Sequence, residues 1–163
     1  MKPLFSQLKA NHYSSNRLSP DFVSSETVYS EIGYDYHEVI RNNPAFENTC
    51  AIRMSLALLK CNVAFSGRFL IKAGALKGKK IEPGAKLLAD QLYTPNVFGK
   101  AEIFTDLRQA GSALKNRKGI IFFHQIAGYG GGHMDLLEPQ GDNLACHSAC
   151  FVNCKEMWFW EFN

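Results

Sequence analysis

The sequence predicts an α+β fold, because helix-period apolar patterns fill the earlier part of the chain and strand-like runs the later part. Two stretches carry that reading. From Cys50 the apolar positions Ile52, Leu56 and Leu59 recur at helical spacing, broadened by Met54 and Leu58. Much later, Ile120-Ile121-Phe122-Phe123 is a continuous apolar run of the kind found in a central strand covered on both faces. With 163 residues the chain has the length of one domain, expected to span positions 1–163.

The elements follow in order. Residues Pro3 to Lys9 place Leu4, Phe5 and Leu8 on one side of a short helix, and the Ser-, Asn- and Pro-rich stretch from Asn11 to Ser25 reads as an irregular arm. Glu26 to Arg41 has helical spacing through Val28, Ile32, Val39 and Ile40, with Gly33 dividing it into two shorter helices. Pro44 keeps the next helix from starting early. Asn48 and Thr49 are suited to its N-cap, and Asn62 tolerates the left-handed geometry of a C-terminus. Glycines and Pro83 between 63 and 87 imply loop with short strand pieces, and Leu87 to Leu92 is ambiguous between strand and helix. Ile103, Leu107, Ala110 and Leu114 predict a helix over 101–114. Strands are expected at 120–123, from His133 to Leu137, and from Glu156 to Phe162, where both alternating sets are apolar.

Composition excludes several classes. Apolar residues make up 46% and charged residues 20%, the balance of an ordinary globular chain. The net charge of +3 is mild, and the nearest thing to a Lys/Arg-rich tract, Lys77-Gly78-Lys79-Lys80, is short and glycine-broken, so no nucleic-acid partner is expected. No run is long enough to span a membrane. The opening Met1-Lys2-Pro3-Leu4-Phe5-Ser6 lacks the apolar core of a signal peptide, so the chain is expected to be made in the cytoplasm and exported by another route.

The chemistry centres on two residues. Cys50 stands at the first turn of its helix, where unpaired N–H groups carry partial positive charge and favour the anionic form of a thiol, the nucleophilic form. His133 follows the glycine-rich stretch Gly128-Tyr129-Gly130-Gly131-Gly132 and opens a strand. A cysteine early on a helix and a histidine at the start of a later strand is the chain order of papain-like thiol hydrolases, in which the two meet in space. The glycines are either a lid over an extended peptide or a loop that needs positive φ. A phosphate cradle is disfavoured because no Lys-Ser/Thr follows and a strand comes next. His124, Trp158 and Trp160 read as structural, and His12 and His37 carry no legible role.

Three further cysteines, Cys146, Cys150 and Cys154, lie four apart beside His147. Their spacing does not match paired Cys-x-x-Cys zinc knuckles, so no metal is assigned. A disulfide among them is expected in an oxidising compartment; otherwise they are thiols packed on a short helical turn. No cofactor is called for.

Asn48-Thr49-Cys50-Ala51-Ile52-Arg53-Met54-Ser55 resembles the nucleophile segment of the type VI secretion amidase effectors, family four. Gly132-His133-Met134-Asp135-Leu136-Leu137 resembles their Gly-His-x-Asp-Leu-Trp strand, 118–123 resembles the strand before it, and 155–161 resembles their C-terminal strand. The resemblance implies an NlpC-type papain-like fold, with the nucleophile helix packed on a small antiparallel sheet. It implies cleavage of the D-glutamyl–meso-diaminopimelate amide of peptidoglycan stem peptides. It also implies delivery by the type VI secretion machinery into the periplasm of rival bacteria, and a cognate immunity protein. Leu137 departs from the usual Trp, and Glu138-Pro139-Gln140-Gly141 from the tight Asp-Gly turn.

On this reading Cys50 attacks the amide carbonyl and His133 shuttles the proton. A third polar group holds the imidazole. Asp142 is chosen, because it follows the turn at Pro139 to Gly141 and the family's third residue also lies after that turn; His147 and Asp135 are the alternatives. The oxyanion is assigned to the Cys50 N–H and an upstream donor, Asn48 being read first as a cap. The competing readings are a catalytically degenerate module that binds cell wall or a partner, and another papain-like activity such as acyl transfer or deamidation.

Overall fold

The computed structural model describes all residues from Met1 to Asn163. Six α-helices precede or interleave with seven strands: α1 (Phe5–Asn11), α2 (Ser25–Glu31), α3 (Tyr36–Asn42), a 3₁₀ turn (Pro44–Glu47), α4 (Cys50–Lys60), β1 (Phe69–Leu70), β2 (Lys80–Ile81), α5 (Ala85–Tyr93), β3 (Glu102–Phe104), α6 (Leu107–Ala113), β4 (Gly119–Ile126), β5 (His133–Gln140), β6 (Asn143–Cys146) and β7 (Cys154–Glu161). Strands β3 to β7 form one antiparallel sheet in the order β3-β7-β4-β5-β6, and β1 and β2 form a separate two-stranded ribbon.

Helix α4 lies at the centre. Every residue from Cys50 to Leu59 is buried, the pattern of a helix covered all round. Its Met54, Ala57 and Leu58 pack on one sheet face, against Ile120, Phe122, Met134, Leu136, Trp158 and Trp160. Its Ile52, Leu56 and Leu59 pack away from the sheet against Val28, Tyr29 and Ile32 of the α2 segment and Ile71 and Ile81 of the ribbon region. The helix ends as the sequence implies: Asn62 sits at φ 61°, its N–H bonds to Leu59 and that of Val63 to Leu58, which completes a Schellman motif. The opposite sheet face carries Ile121, Phe123, Leu137 and Phe159 under Ala110 of α6 and Leu114. The 120–123 run is therefore central and covered on both faces, and both sides of β7 are covered too.

One expectation changes, one open stretch is settled, and one strand is added. The stretch 101–114 is not one helix. Ile103 belongs to β3, paired with Trp158, and the helix starts only after Asp106, whose carboxylate accepts from the N–H groups of Arg108 and Gln109. Leu87 to Leu92 lies within helix α5. Strand β6 was not foreseen, because Asn143 to Cys146 has no apolar run of its own and is ordered by pairing with β5. No helix is long and apolar enough to cross a membrane.

Leu56 is fully buried. Leu56→Ala should lower stability by about 2–5 kcal/mol, whereas Ile103→Ala at the exposed edge should cost far less. Urea unfolding of both variants checks this; equal losses would contradict the central position given to α4.

Candidate active site

The first turn of α4 presents Cys50 at 7% exposure. Thr49 is the N-cap by backbone position, but its hydroxyl is used elsewhere, accepting from Arg53 Nε at 2.9 Å. The capping is done one residue earlier. Asn48 Oδ1 accepts from the Cys50 N–H at 3.2 Å, while its Nδ2 donates to the Tyr129 hydroxyl at 2.6 Å and to the Gly132 carbonyl at 3.4 Å. Asn48 thereby joins the nucleophile turn to the glycine-rich loop, and in the resting site it holds the N–H that had been assigned to the oxyanion.

Below Cys50, Arg53 is buried at 2% exposure. Its guanidinium donates to the carbonyls of Ser14 and Val23 at 3.0 and 2.7 Å, to Thr49 and to Ser25 Oγ. It pins the irregular arm against α4. Burial pulls its pKa down, opposed by the nearby Cys50 and Asp135. The signal for this residue was present in the sequence: a single cation, three positions after the cysteine, in an otherwise apolar stripe.

His133 opens β5 beside Phe123 of β4. Gly132 precedes it because there is no room for a side chain: a Cβ there would lie 2.6 Å from the Phe122 ring and 3.0 Å from the Phe123 carbonyl oxygen. The imidazole Nε2 bonds to Asp135 Oδ2 at 2.8 Å, and Cys50 lies within hydrogen-bonding reach of the same ring. Burial works to lower the His133 pKa. The hydrogen bonds to Asp135 and Cys50, and the charge of both, outweigh it and raise the pKa to about 9. A ring that keeps its proton across neutral pH can sit as an imidazolium beside a thiolate.

Asp135 is the residue on His133, and Asp142 is not. Register gives the reason. β6 pairs with β5 from Leu137↔Cys146 to Gln140↔Asn143, so the turn that holds Asp142 lies at the far end of β5. Seven residues of strand separate His133 from Gln140, about 23 Å at 3.3 Å per residue. Asp142 is exposed there and makes no bond to the imidazole. The part of the returning chain that comes back beside Asp135 is 147–149, and it brings amides: Ser148 N–H donates to Asp135 at 3.1 Å and Ala149 N–H at 2.9 Å. His147 faces the other way, with its Nδ1 2.7 Å from His12 Nδ1 and its Nε2 2.8 Å from Asp21. From the sequence Asp135 ranks below Asp142, because strand neighbours two apart seldom reach one another's heads. Here the imidazole is long enough to span the gap on a shared face.

Asp135 itself is fully buried. Burial raises its pKa, but the His133 hydrogen bond and charge and the Ala149 N–H prevail, so it stays below the ordinary carboxylate range. His12 is held neutral, its pKa lowered to about 3, chiefly by burial. The amide-bearing loop is clamped by a disulfide between Cys146 and Cys150. This meets the expectation of a disulfide among the three and replaces the packed-thiol alternative: Cys146 ends β6, and the free Cys154 opens β7.

His133 borders a groove of about 930 Å³ that also takes in Asn48, Tyr129, Arg68, Lys86 and Phe151. Such a groove accommodates an extended peptide alongside the imidazole.

Known proteins place this architecture. The family model described as type VI secretion system amidase effector protein 4 matches residues 46–160. The chain is thus a cell-wall amidase, a peptidoglycan hydrolase of the type VI secretion class. It belongs to the Tae4 family of amidase effectors. The crystal structure of the type VI effector Tae4 from Enterobacter cloacae resembles it with a TM-score of 0.65 and 23% identity, covering 100% of this chain and 98% of that one. The Tae4–Tai4 effector–immunity complexes from Enterobacter cloacae and Salmonella Typhimurium give TM-scores of 0.64 and 0.65 at 21% and 18% identity, each covering 100% of both chains. No curated protein sequence matches.

His133 should titrate near pH 9 by NMR, and Asp135→Asn should move that titration down, whereas Asp142→Asn should leave it in place. The sign follows from a folded pKa raised above the ordinary value of about 6.5. The ring's contribution to stability is complete below about 6.5 and is lost as pH rises through about 9. An unchanged titration in Asp135→Asn would remove Asp135 from the imidazole.

Proposed function

We propose that this chain is a single papain-like cysteine amidase domain over 1–163, of the NlpC type, that cleaves the D-glutamyl–meso-diaminopimelate amide of peptidoglycan stem peptides. The observation that carries the reading is the line of Cys50, His133 and Asp135, with the imidazole bonded to a buried carboxylate on one side and in reach of the thiol on the other. The Cys50 thiolate attacks the amide carbon. The carbon–nitrogen bond breaks as His133 gives its proton to the leaving amine, and a thioester remains. Water then attacks the thioester, His133 takes the water's proton, and the acid and the thiolate are released. Asp135 orients the imidazole and balances its charge. The Cys50 N–H becomes an oxyanion donor once Asn48 yields it.

Delivery by the type VI secretion machinery into the periplasm of target bacteria follows from the effector family. A cognate immunity protein is the expected partner, as the related Tae4–Tai4 complexes suggest.

Mass analysis of purified stem peptides tests the reaction. Wild-type protein should release the diaminopimelate-bearing product, and Cys50→Ala and His133→Ala should lower the rate by at least about a thousandfold. Replacing Cys61, a free half-buried thiol, should leave it unchanged. Product formed by Cys50→Ala at the wild-type rate would end this reading. In cells, periplasmic expression should lyse the host and cytoplasmic expression should not; equal killing from both sites would place the target elsewhere.

A further inference from the structure

The groove contains a cation that the proposed chemistry does not use. Arg68 enters β1 through Gly67, where the chain is pressed so close to β2 that a Cβ would lie 2.6 Å from the carbonyl oxygens of both Lys80 and Ile81. The Arg68 N–H bonds to the Ile81 carbonyl at 3.0 Å. From there the side chain reaches Glu82, with Nε on Oε1 at 2.7 Å and Nη2 on Oε2 at 2.8 Å. The Gly84 N–H completes the carboxylate at 2.7 Å.

The two ends of this pair differ in a way that ordinary surface pairs do not. The Arg68 side chain is 60% exposed and that of Glu82 3%. An exposed pair adds little to stability, and burying a carboxylate carries a desolvation cost. Spending a buried carboxylate on an exposed guanidinium makes sense if the guanidinium must stand in one place. The place is tied to the nucleophile: the Glu82 N–H donates to Ser55 Oγ at 3.1 Å, and the Ser55 hydroxyl donates to the Glu82 carbonyl at 3.2 Å. Ser55 lies on α4 five residues after Cys50, about 7.5 Å along the helix axis. The cation is therefore indexed to the helix that carries the thiol.

Glu82 occupies the Nε–Nη2 edge of the guanidinium. Of the five N–H donors an arginine carries, two are engaged by Glu82, which leaves three (5 − 2) without a protein partner. They include both hydrogens of Nη1, and Arg68 lines the same groove as His133. The free Nη1–Nη2 edge is the fork that matches a carboxylate with two parallel hydrogen bonds.

We propose that Arg68 is a specificity-determining residue that binds a carboxylate of the peptide substrate. The assignment rests on the amidase reading above. A D-glutamyl–diaminopimelate stem offers two carboxylates near the scissile amide: the α-carboxylate of the γ-linked glutamate on the acyl side, and the side-chain carboxylate of diaminopimelate on the amine side. Both present the same chemistry to the fork, and the substrate tells them apart.

The experiment uses the full chain with three peptides: the acid form, one with the glutamate α-carboxylate amidated, and one with lysine in place of diaminopimelate. Wild-type protein should cleave the acid form and lose about ten- to a hundredfold in kcat/KM on whichever peptide lacks the bound carboxylate. Arg68→Gln should lower kcat/KM on the acid form by a similar factor and make it equivalent to that one peptide. Arg68→Lys should fall between, keeping the charge without the fork. Because Arg68→Gln strands a buried carboxylate, Arg68→Gln/Glu82→Gln is compared alongside it. The rate of Cys50 alkylation by iodoacetamide verifies in each variant that the thiol–imidazole pair is intact. With alkylation preserved, an equal loss on all three peptides, or no loss on any, overturns the assignment while leaving the amidase reading standing. A wild-type chain that cleaves none of the three overturns the amidase reading and the assignment with it.

Discussion

A carboxylate shut away from water has to be met by donors on every side, and Asp135 is such a carboxylate. It collects the imidazole of His133, its neighbour's amide at Leu136, and the amides of Ser148 and Ala149. Those donors come from two different constraints. The imidazole is offered by the strand itself. The two loop amides arrive only because β6 returns along β5 in one register, and the Cys146–Cys150 disulfide then closes the loop that bears them. A one-residue slip would turn that strand's alternation over and leave a buried charge without partners, a far larger loss than any one of the hydrogen bonds.

The same logic applies beneath the thiol. Arg53 is a cation buried in the most apolar helix of the molecule, and it is tolerated because backbone carbonyls of the N-terminal arm surround its head. In turn the arm needs Arg53, since Asn11 to Ser25 has few apolar side chains with which to pack. No buried side-chain nitrogen or oxygen in the structure lacks a partner. The polar network that runs from Arg53 to the arm at Ser14, from Ser14 and Ser15 to His147 and Ser148, and from the Ser148 amide to Asp135 is thus complete, and it ties the first turn of α4 to β5. That relation is what brings Cys50 and His133 together. The groove side shows the same device once more, with buried Glu82 holding exposed Arg68 and both tied to α4 through Ser55.

How much of this the chain declared in advance varies by element. Helix α4 was legible because its apolar period, its cap residues and Asn62 all point to the same limits. Strand β4 was legible because an uninterrupted apolar run between a basic turn and a glycine-rich loop has few other uses. The helix expected over 101–114 failed at its start, where Ile103 fits a helical period by accident and sheet pairing with Trp158 overrides it. Strand β6 could not be read at all, since one exposed and three half-buried residues become a strand only when β5 supplies the partner.

For the site the division is sharper. Cys50 and His133 are singled out by local features alone: a cysteine after capping residues, and a histidine between glycines and a strand. Local sequence determines where a helix begins and which residue stands at its positive end. It does not determine which residue faces an imidazole across a hairpin, because that depends on strand register, a property of two segments together. Asp142 looked right by order along the chain and lies at the wrong end of β5. Asp135 looked too near in sequence and proved well placed, because pairing with β6 delivers the amides that make its burial tolerable. The pairing of Cys146 with Cys150 and not Cys154, and the exposed hold of Glu82 on Arg68, were likewise decided only when distant segments packed, for hydrogen bonds and burial act through space and the sequence orders residues only along the chain.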